Sequence, residues 1–497
     1  MGDYQRAFEE LKALDKEIIL LSQIGGVLVW DQEKVPPKGV EGRSEQVALL
    51  ERKIHSLVVS DKMADLISLL EEAELEEHEK ALVRICKRRL EKSYKLDSDF
   101  VHRFSNLTTK AQSVWIEARK NDNWALFSPY LEEIVAMVRE KASLYGFKEE
   151  PYDALLDNFE EGCTAKEVES LFAQSKTAIQ NILSKIDLEE KIDDTFLYLK
   201  YPIEKQETFA KEVLSAMGFE FDRGSYGVST HPYTISLGSD DIRITTRYTE
   251  PSVASPLFSI IHEGGHALYE MGMSNELTSN TSLANGASFA FHESQSRLWE
   301  NMIGRSRSFW SKFFYRFKKL FPIQTQGVSL EQFLKSINKV SRSPIRVDAD
   351  EVTYNLHIMV RFEIERALLD REVEVKDLPQ LWKSKMEELL NIKIKNDKEG
   401  LLQDVHWAMG EFGYFPSYAL GNLYSAQILH TLQKSLDLDA IIESGDFIPI
   451  KEYLNNAIYK HGSIYKPKEL LERVSGKPLS AAYFENYLAK KYLKTGE

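Results

Sequence analysis

The chain has 497 residues, enough to bury a large core, and its 43% apolar and 28% charged composition excludes disordered and fibrous classes. With 63 basic residues against 77 acidic ones the net charge is -14, which repels polyanions and argues against nucleic acid as a partner. Its 2 cysteines, Cys86 and Cys163, are too few for a disulfide framework and form no CxxC, which fits a reducing, cytoplasmic setting.

The opening "MGDYQRAFEELKALDKE" is acidic and lacks the basic n-region of a signal peptide. The apolar run that follows, "IILLSQIGGVLVW" at 18–30, is broken by Ser22, Gln23 and two glycines and is too short for a membrane span. A soluble, unexported protein with no membrane partner is expected. From Tyr4 to about Lys200, apolar residues recur three and four apart with Glu and Lys between them, as in "MADLISLLEEAELEEHEKALVRICKRRLEK". That period predicts long antiparallel helices.

At 219–248, "FEFDRGSYGVSTHPYTISLGSDDIRITTRY", turn residues separate short β-branched and aromatic segments with a two-residue period. This predicts a small antiparallel β insert of two or three strands. Helical text returns at Ser255, and no repeat or long linker interrupts it. The expectation is an all-α, mainly helical fold with one β insert. A single domain spans 1–497, with a helical region at 1–200 and a second at 251–497.

The second helical region opens with "FSIIHEGGHALYE", which on a helix puts His262 and His266 on one face at i and i+4. Two imidazoles so placed suit a metal ion, and Glu263 points to a neighbouring position where it can hold a water. Ser255 is the expected N-cap, Pro256 the first helical residue, and the end is expected near Gly272. Gly264 and Gly265 each weaken such a helix by about 0.5 to 1 kcal/mol relative to Ala. Close approach by a neighbouring backbone or a bound peptide would give them a purpose.

A catalytic zinc takes three protein ligands and keeps one open position, so another segment has to supply a ligand. "GASFAFHESQSRLWENMIG" at 286–304 is a second helical run with His292 and Glu293 amid apolar residues, where an unpaired carboxylate is costly. From these residues alone the alternatives stay open: Glu293 as ligand, His292 as ligand, or Glu293 paired with Arg297 at i+4.

These segments resemble the HExGH and HESQ motifs of the carboxypeptidase Taq family, zinc carboxypeptidases that remove C-terminal residues from peptides. "DIRIT" (Asp241, Arg243, Thr245) resembles that family's DxRxT, "IRVDAD" (Ile345, Arg346, Ala349, Asp350) its IRxxAD, and "GLLQDVHW" (Gly400, Gln403, Asp404, Trp407) its GxxQDxxW. The similarity extends to "WDQE" at 30–33, "EGRSEQ" at 41–46, "PYDALLDNFEEG" at 151–162 and "GYFPSYALGN" at 413–422, nearly the whole chain. After Trp30, "DQEKVPPKG" departs from the Thr-containing, methionine-bearing version of relatives and touches no residue assigned to catalysis.

The resemblance implies an almost wholly helical fold with a deep cleft, similar to the neurolysin and angiotensin-converting-enzyme group, and a homodimer. It implies one zinc ion per chain on His262, His266 and Glu293 rather than His292, a mixed site that Co or Mn also suits. It makes Glu263 the general base in hydrolysis of the C-terminal peptide bond of a peptide with a free C-terminus. It also makes Gly265, the glycine of HExGH, the more demanding of the two glycines.

Arg346 is the first candidate for gripping the substrate carboxylate and Arg243 the second, because a guanidinium fork matches a carboxylate. The plainer alternatives are a structural ion pair for Arg346 and an exposed strand residue for Arg243. His231, in "THPYT", and Tyr418, in "YFPSY", match positions suited to donating to the oxyanion, with Tyr414 able to exchange roles with Tyr418. Gln403, Asp404 and Trp407 suit structural roles. Two competitors remain: an oligopeptidase that cuts internal bonds or releases dipeptides, and a catalytically dead scaffold. The second would have lost Glu263 or a ligand, and all of these residues are present.

Overall fold

The computed structural model describes residues 2–273 and 275–493. The amphipathic period of the first 200 residues folds as a succession of helices: α1 (Asp3–Trp30), α2 (Val40–Val58), α3 (Asp61–Glu71), α4 (Glu77–Lys95), α5 (Ser98–Asn121), α6 (Trp124–Tyr145), α7 (Pro151–Leu156) and α8 (Ala165–Leu183). Their starts are marked by polar caps that satisfy otherwise orphaned N–H groups. Asp97 accepts from Phe100 N ahead of α5, and Thr164 and Glu167 form a reciprocal capping box ahead of α8.

After α9 (Ile203–Met217) come three strands, β1 (Gly224–Val228), β2 (Thr234–Ser236) and β3 (Ile242–Thr246), ordered β1-β3-β2. The helical fold class stands as expected, but the insert is a mixed sheet rather than an antiparallel one. β2 and β3 form the expected antiparallel hairpin, whereas β1 pairs with β3 in parallel. The segment between Val228 and Thr234 carries the chain across to the far side of β3 instead of turning back. Pro232 within it has no N–H to give a ladder.

The metal-motif helix is α10 (Ala254–Met273). It starts a residue before the expected cap: Leu257 N donates to Val253 O at 3.2 Å, so Ser255 lies inside the first turn. Pro256 sits in that same turn, where no intrahelical N–H is needed. Next is α11 (Phe289–Arg297), capped by Ser288 through Phe291 N, and it runs into a π-helical turn at Leu298–Ile303.

The rest is helical again: α12 (Arg307–Leu320), α13 (Leu330–Ile337), α14 (Tyr354–Leu369), α15 (Leu378–Leu390), α16 (Pro416–Ser435) and four further helices ending at Tyr492. One large apolar core runs through the structure from Ala111 to Leu488, with Phe291 of α11 and Trp299 of the π-helical turn fully buried in it. A second, smaller core joins α1, α3 and α4 to Leu283. Buried Asp15 of α1 ties that unit to the loop after α10 by accepting from Ser282 N at 2.6 Å. Among the described residues no helix is long and apolar enough to cross a membrane.

The two glycines of α10 meet different neighbours. A Cβ on Gly265 would lie 2.7 Å from Gln295 O and 2.8 Å from Ser296 Cα, both backbone atoms of α11. A Cβ on Gly264 would meet only the ends of Leu214 at 2.9 Å and Met217 at 3.0 Å, side chains that can move. Gly265→Ala is therefore expected to cost about 1 to 3 kcal/mol, the range for overpacking a core. Gly264→Ala should cost less, because the gain in helix propensity offsets a softer clash. Thermal unfolding of the two metal-free variants beside wild type checks the order; equal losses would contradict it.

Candidate metal centre

α10 and α11 bring three donors together. His262 Nε2 lies 3.6 Å and His266 Nε2 3.5 Å from Glu293 Oε2, and the three donor atoms all lie within 4.8 Å of one another. Zinc bonds to N and O of about 2.0 to 2.1 Å at tetrahedral angles space the donors about 3.4 Å apart. The donor set and its spacing thus fit such an ion. Ligation by Glu293 and its pairing with Arg297 do not compete. Arg297 Nε donates to Oε1 at 2.7 Å, while Oε2 is the oxygen that faces the imidazoles. His292 stands behind His266 and outside the cluster of three.

The back edges of both imidazoles are held. Glu300, placed by the π turn, lies 2.9 Å from His262 Nδ1, and His292 Nδ1 lies 2.6 Å from His266 Nδ1. Metal-binding histidines in general have their second nitrogen anchored in this way. Burial pushes His266 down to about 3, which keeps it in the neutral form that ligates a metal. Burial also works against charge on His262, but Glu293 and Glu300 outweigh it and raise its pKa, so a proton and a metal ion would compete for that ring. Burial opposes ionisation of Glu293 too, yet Arg297 and His262 prevail and hold its carboxyl well below the usual range.

Glu263 is buried on the same helix, and its carboxyl is pushed up by that burial. Thr234 Oγ1, on β2, donates to its Oε2 at 2.6 Å. Arg243 of β3 forms a two-pronged pair with Asp241, at 2.7 Å for each prong, and stacks over Trp30. In the same motif Thr245 Oγ1 accepts from Tyr233 N at 3.0 Å and from Ser229 Oγ at 2.7 Å. It thereby fixes the crossing segment that presents Thr234. His231 lies exposed on that segment, three residues before Thr234.

Arg346 is buried. Its Nε and Nη2 lie 2.9 and 2.7 Å from Asp404 Oδ1, Nη1 donates to Tyr354 OH at 2.9 Å, and the Tyr418 ring is 5.0 Å away. The other Asp404 oxygen takes Arg361 Nε at 2.7 Å. Two buried guanidinium groups thus share one carboxylate, which leaves a surplus positive charge. Burial opposes the charge on Asp404, but Arg361 and Arg346 overcome it and keep its carboxyl ionised. Gln403 Oε1 holds Arg346 N at 2.9 Å, which explains the Gln-Asp pair of GxxQDxxW.

The Arg346 cluster is contiguous with the metal motif, since Arg297 stacks 4.7 Å over the ring of Tyr354. Tyr414 and Tyr418 pack edge to face, their centroids 5.2 Å apart, and Tyr418 OH is 3.2 Å from His406 Nε2. Thr234, Glu300, Arg361 and His406 escaped the reading of the sequence. His406 lies inside GxxQDxxW, Thr234 closes "THPYT" and Glu300 lies within 286–304, whereas Arg361 stands in none of the quoted segments.

Fold and site together define a helical protein with an HExxH pair completed by a downstream glutamate. The carboxypeptidase Taq (M32) metallopeptidase family model matches residues 10–492, and the chain belongs to that family of carboxypeptidases. It is 39% identical over 494 residues to Carboxypeptidase 1 of Bacillus subtilis (strain 168), covering 98% of each chain. It is also 39% identical over 504 residues to Thermostable carboxypeptidase 1 of Thermus thermophilus, again covering 98% of each. Among solved structures, the M32 carboxypeptidase from Deinococcus radiodurans R1 superposes with a TM-score of 0.95 at 34% identity, covering 98% of this chain and 99% of that one. The Pyrococcus furiosus carboxypeptidase gives 0.94 at 35%, covering 99% of both.

Trp407 closes the motif set from below. Its Nε1 donates to Glu365 Oε1 at 2.8 Å, and Tyr152 OH at 2.8 Å and Gly413 N at 3.1 Å reach Oε2. Burial nevertheless pushes the Glu365 carboxyl up from 4.5 to about 7. Folded Glu365 keeps a proton that the unfolded chain releases, so its contribution to stability falls as pH rises from about 4.5 through 7, by about 3 kcal/mol in all. Between pH 5 and 8 the stability of Glu365→Gln relative to wild type is expected to improve. Denaturant midpoints at the two pH values measure this, and a constant gap would refute it.

Proposed function

We propose that this chain is a zinc-dependent carboxypeptidase that releases single amino acids from the free C-terminus of peptides. The observation that carries the reading is the convergence of His262 Nε2, His266 Nε2 and Glu293 Oε2 within 4.8 Å, next to buried Glu263. Those three residues would hold one ion, with Co or Mn as substitutes for zinc. When bound, it would supply Lewis acidity toward the scissile carbonyl and a water.

Glu263 then acts as general base toward that water and returns the proton to the leaving amine. Thr234 supports this role by fixing one carboxylate oxygen and leaving the other for the proton. The surplus positive charge of Arg346 and Arg361 around Asp404 supports Arg346 as the group that draws in the C-terminal carboxylate. Arg243, already paired with Asp241, is the second candidate, and Tyr414 lines the same substrate side. Tyr418 and His231 are the donors assigned to the oxyanion. One catalytic domain over 1–497, a deep cleft like that of the neurolysin group, a homodimer and a cytoplasmic location belong to the same reading.

Mass-spectrometric laddering of a free-acid peptide and its C-terminal amide tests it. Stepwise loss from the free acid is expected, with little from the amide. Glu263→Gln should lower kcat by about 10²- to 10⁴-fold while metal content is retained. Internal cleavage undiminished by the amide would overturn the carboxypeptidase assignment for this chain.

A further inference from the structure

Behind His266, on the side away from Glu293, a chain of polar contacts runs outward. His266 Nδ1 is 2.6 Å from His292 Nδ1, and His292 Nε2 is 2.7 Å from Glu270 Oε1. Two ring nitrogens at hydrogen-bond distance are satisfied only when one carries a proton and the other does not. If His266 offers the lone pair of Nε2 to a metal ion, its own proton is on Nδ1. His292 Nδ1 must then accept, so the His292 proton is on Nε2, which faces the Glu270 carboxylate. Each link fixes the next, from the carboxylate to the ligating nitrogen.

The links have little freedom. The His292 ring lies between His266, 4.6 Å away, and Tyr269, 5.2 Å away. Gly286 closes a third side, where a Cβ would come within 3.1 Å of His292 Cδ2. Ala287 N pins the Tyr269 hydroxyl at 3.1 Å. Glu270 stands one turn beyond His266 on α10 and borders a polar cavity of about 330 Å³ together with Gln23, Thr234 and Asn285.

We propose that Glu270 and His292 are positioning residues for His266, with Glu270 setting the His292 tautomer and His292 in turn presenting His266 Nε2 to the metal. His262 is anchored differently, by direct contact with Glu300. His292 is also the residue next to Glu293, so α11 supplies both a ligand and the link that orients a ligand on α10. This inference rests on the reading of His266 as a metal ligand.

Chelator-competition measurements of the Co²⁺ dissociation constant on the full chain, with thermal unfolding of each metal-free protein, test it. Glu270→Ala should weaken Co²⁺ binding by about 10-fold or more, whereas Glu270→Gln, which keeps an acceptor for His292 Nε2, should stay within about threefold of wild type. His292→Asn keeps an acceptor for His266 but cuts off Glu270, so adding Glu270→Ala to it should cost nothing further. Unchanged affinity in Glu270→Ala, an equal loss in Glu270→Gln, or an additive loss in the double variant would each overturn the relay while leaving His266 a ligand. A wild-type chain that binds no Co²⁺ would instead overturn the ligand reading, and the relay with it.

Discussion

Two helices can offer ligands to one ion only if their backbones come near enough for short side chains to meet, and that approach is made at Gly265. With 2.7 Å between a hypothetical Cβ there and Gln295 O, no other residue fits without moving a backbone. The same contact sets the distance between the His262/His266 face of α10 and Glu293 on α11. A second glycine acts from the opposite side: a Cβ on Gly421 of α16 would come 2.7 Å from Glu293 Cγ. The Glu293 stem is therefore packed between two helices, and its carboxylate has few directions left to point.

That packing creates an electrostatic problem, since Glu293 and Glu300 are both held in a region largely shut off from water. Buried carboxylates survive only with partners, and the partners here are shared. Arg297 bonds Glu293 at 2.7 Å and reaches Glu300 at 3.4 Å, while Arg305 adds a contact to Glu300 at 3.3 Å. Glu293 turns Oε2 toward the imidazoles, whereas Glu300 Oε2 is shared between His262 Nδ1 at 2.9 Å and Arg297 Nη1. Arg297 thus links the two carboxylates, and only Glu293 Oε2 faces both imidazoles.

The helices were legible because a period of three to four residues survives in any packing, and the motif histidines were legible because their spacing is intrahelical. The sheet pairing was not, since local alternation says nothing about which side of β3 the first strand takes. Ser255 looked like a cap from composition alone, but the chain enters α10 from Val253. Glu293 was read as ligand or ion-pair partner because a sequence shows one carboxylate, whereas the structure shows two oxygens facing different ways. Thr234 and Arg361 are joined to the site only through space. The π turn that places Glu300 leaves no mark in a helical pattern.

Arg346 shows how much the neighbourhood of a residue alters the meaning of a motif. A free guanidinium would grip a carboxylate with two parallel bonds, but here Nε and Nη2 both face Asp404, and Nη1 is on Tyr354. What the cluster would offer an anion is chiefly its surplus charge, held by Gln403 and Arg361, with the Tyr418 ring 5.0 Å from Arg346 and Tyr414 packed against Tyr418. If Arg346 is the group that draws in a carboxylate, charge would therefore count for more than one bidentate pair.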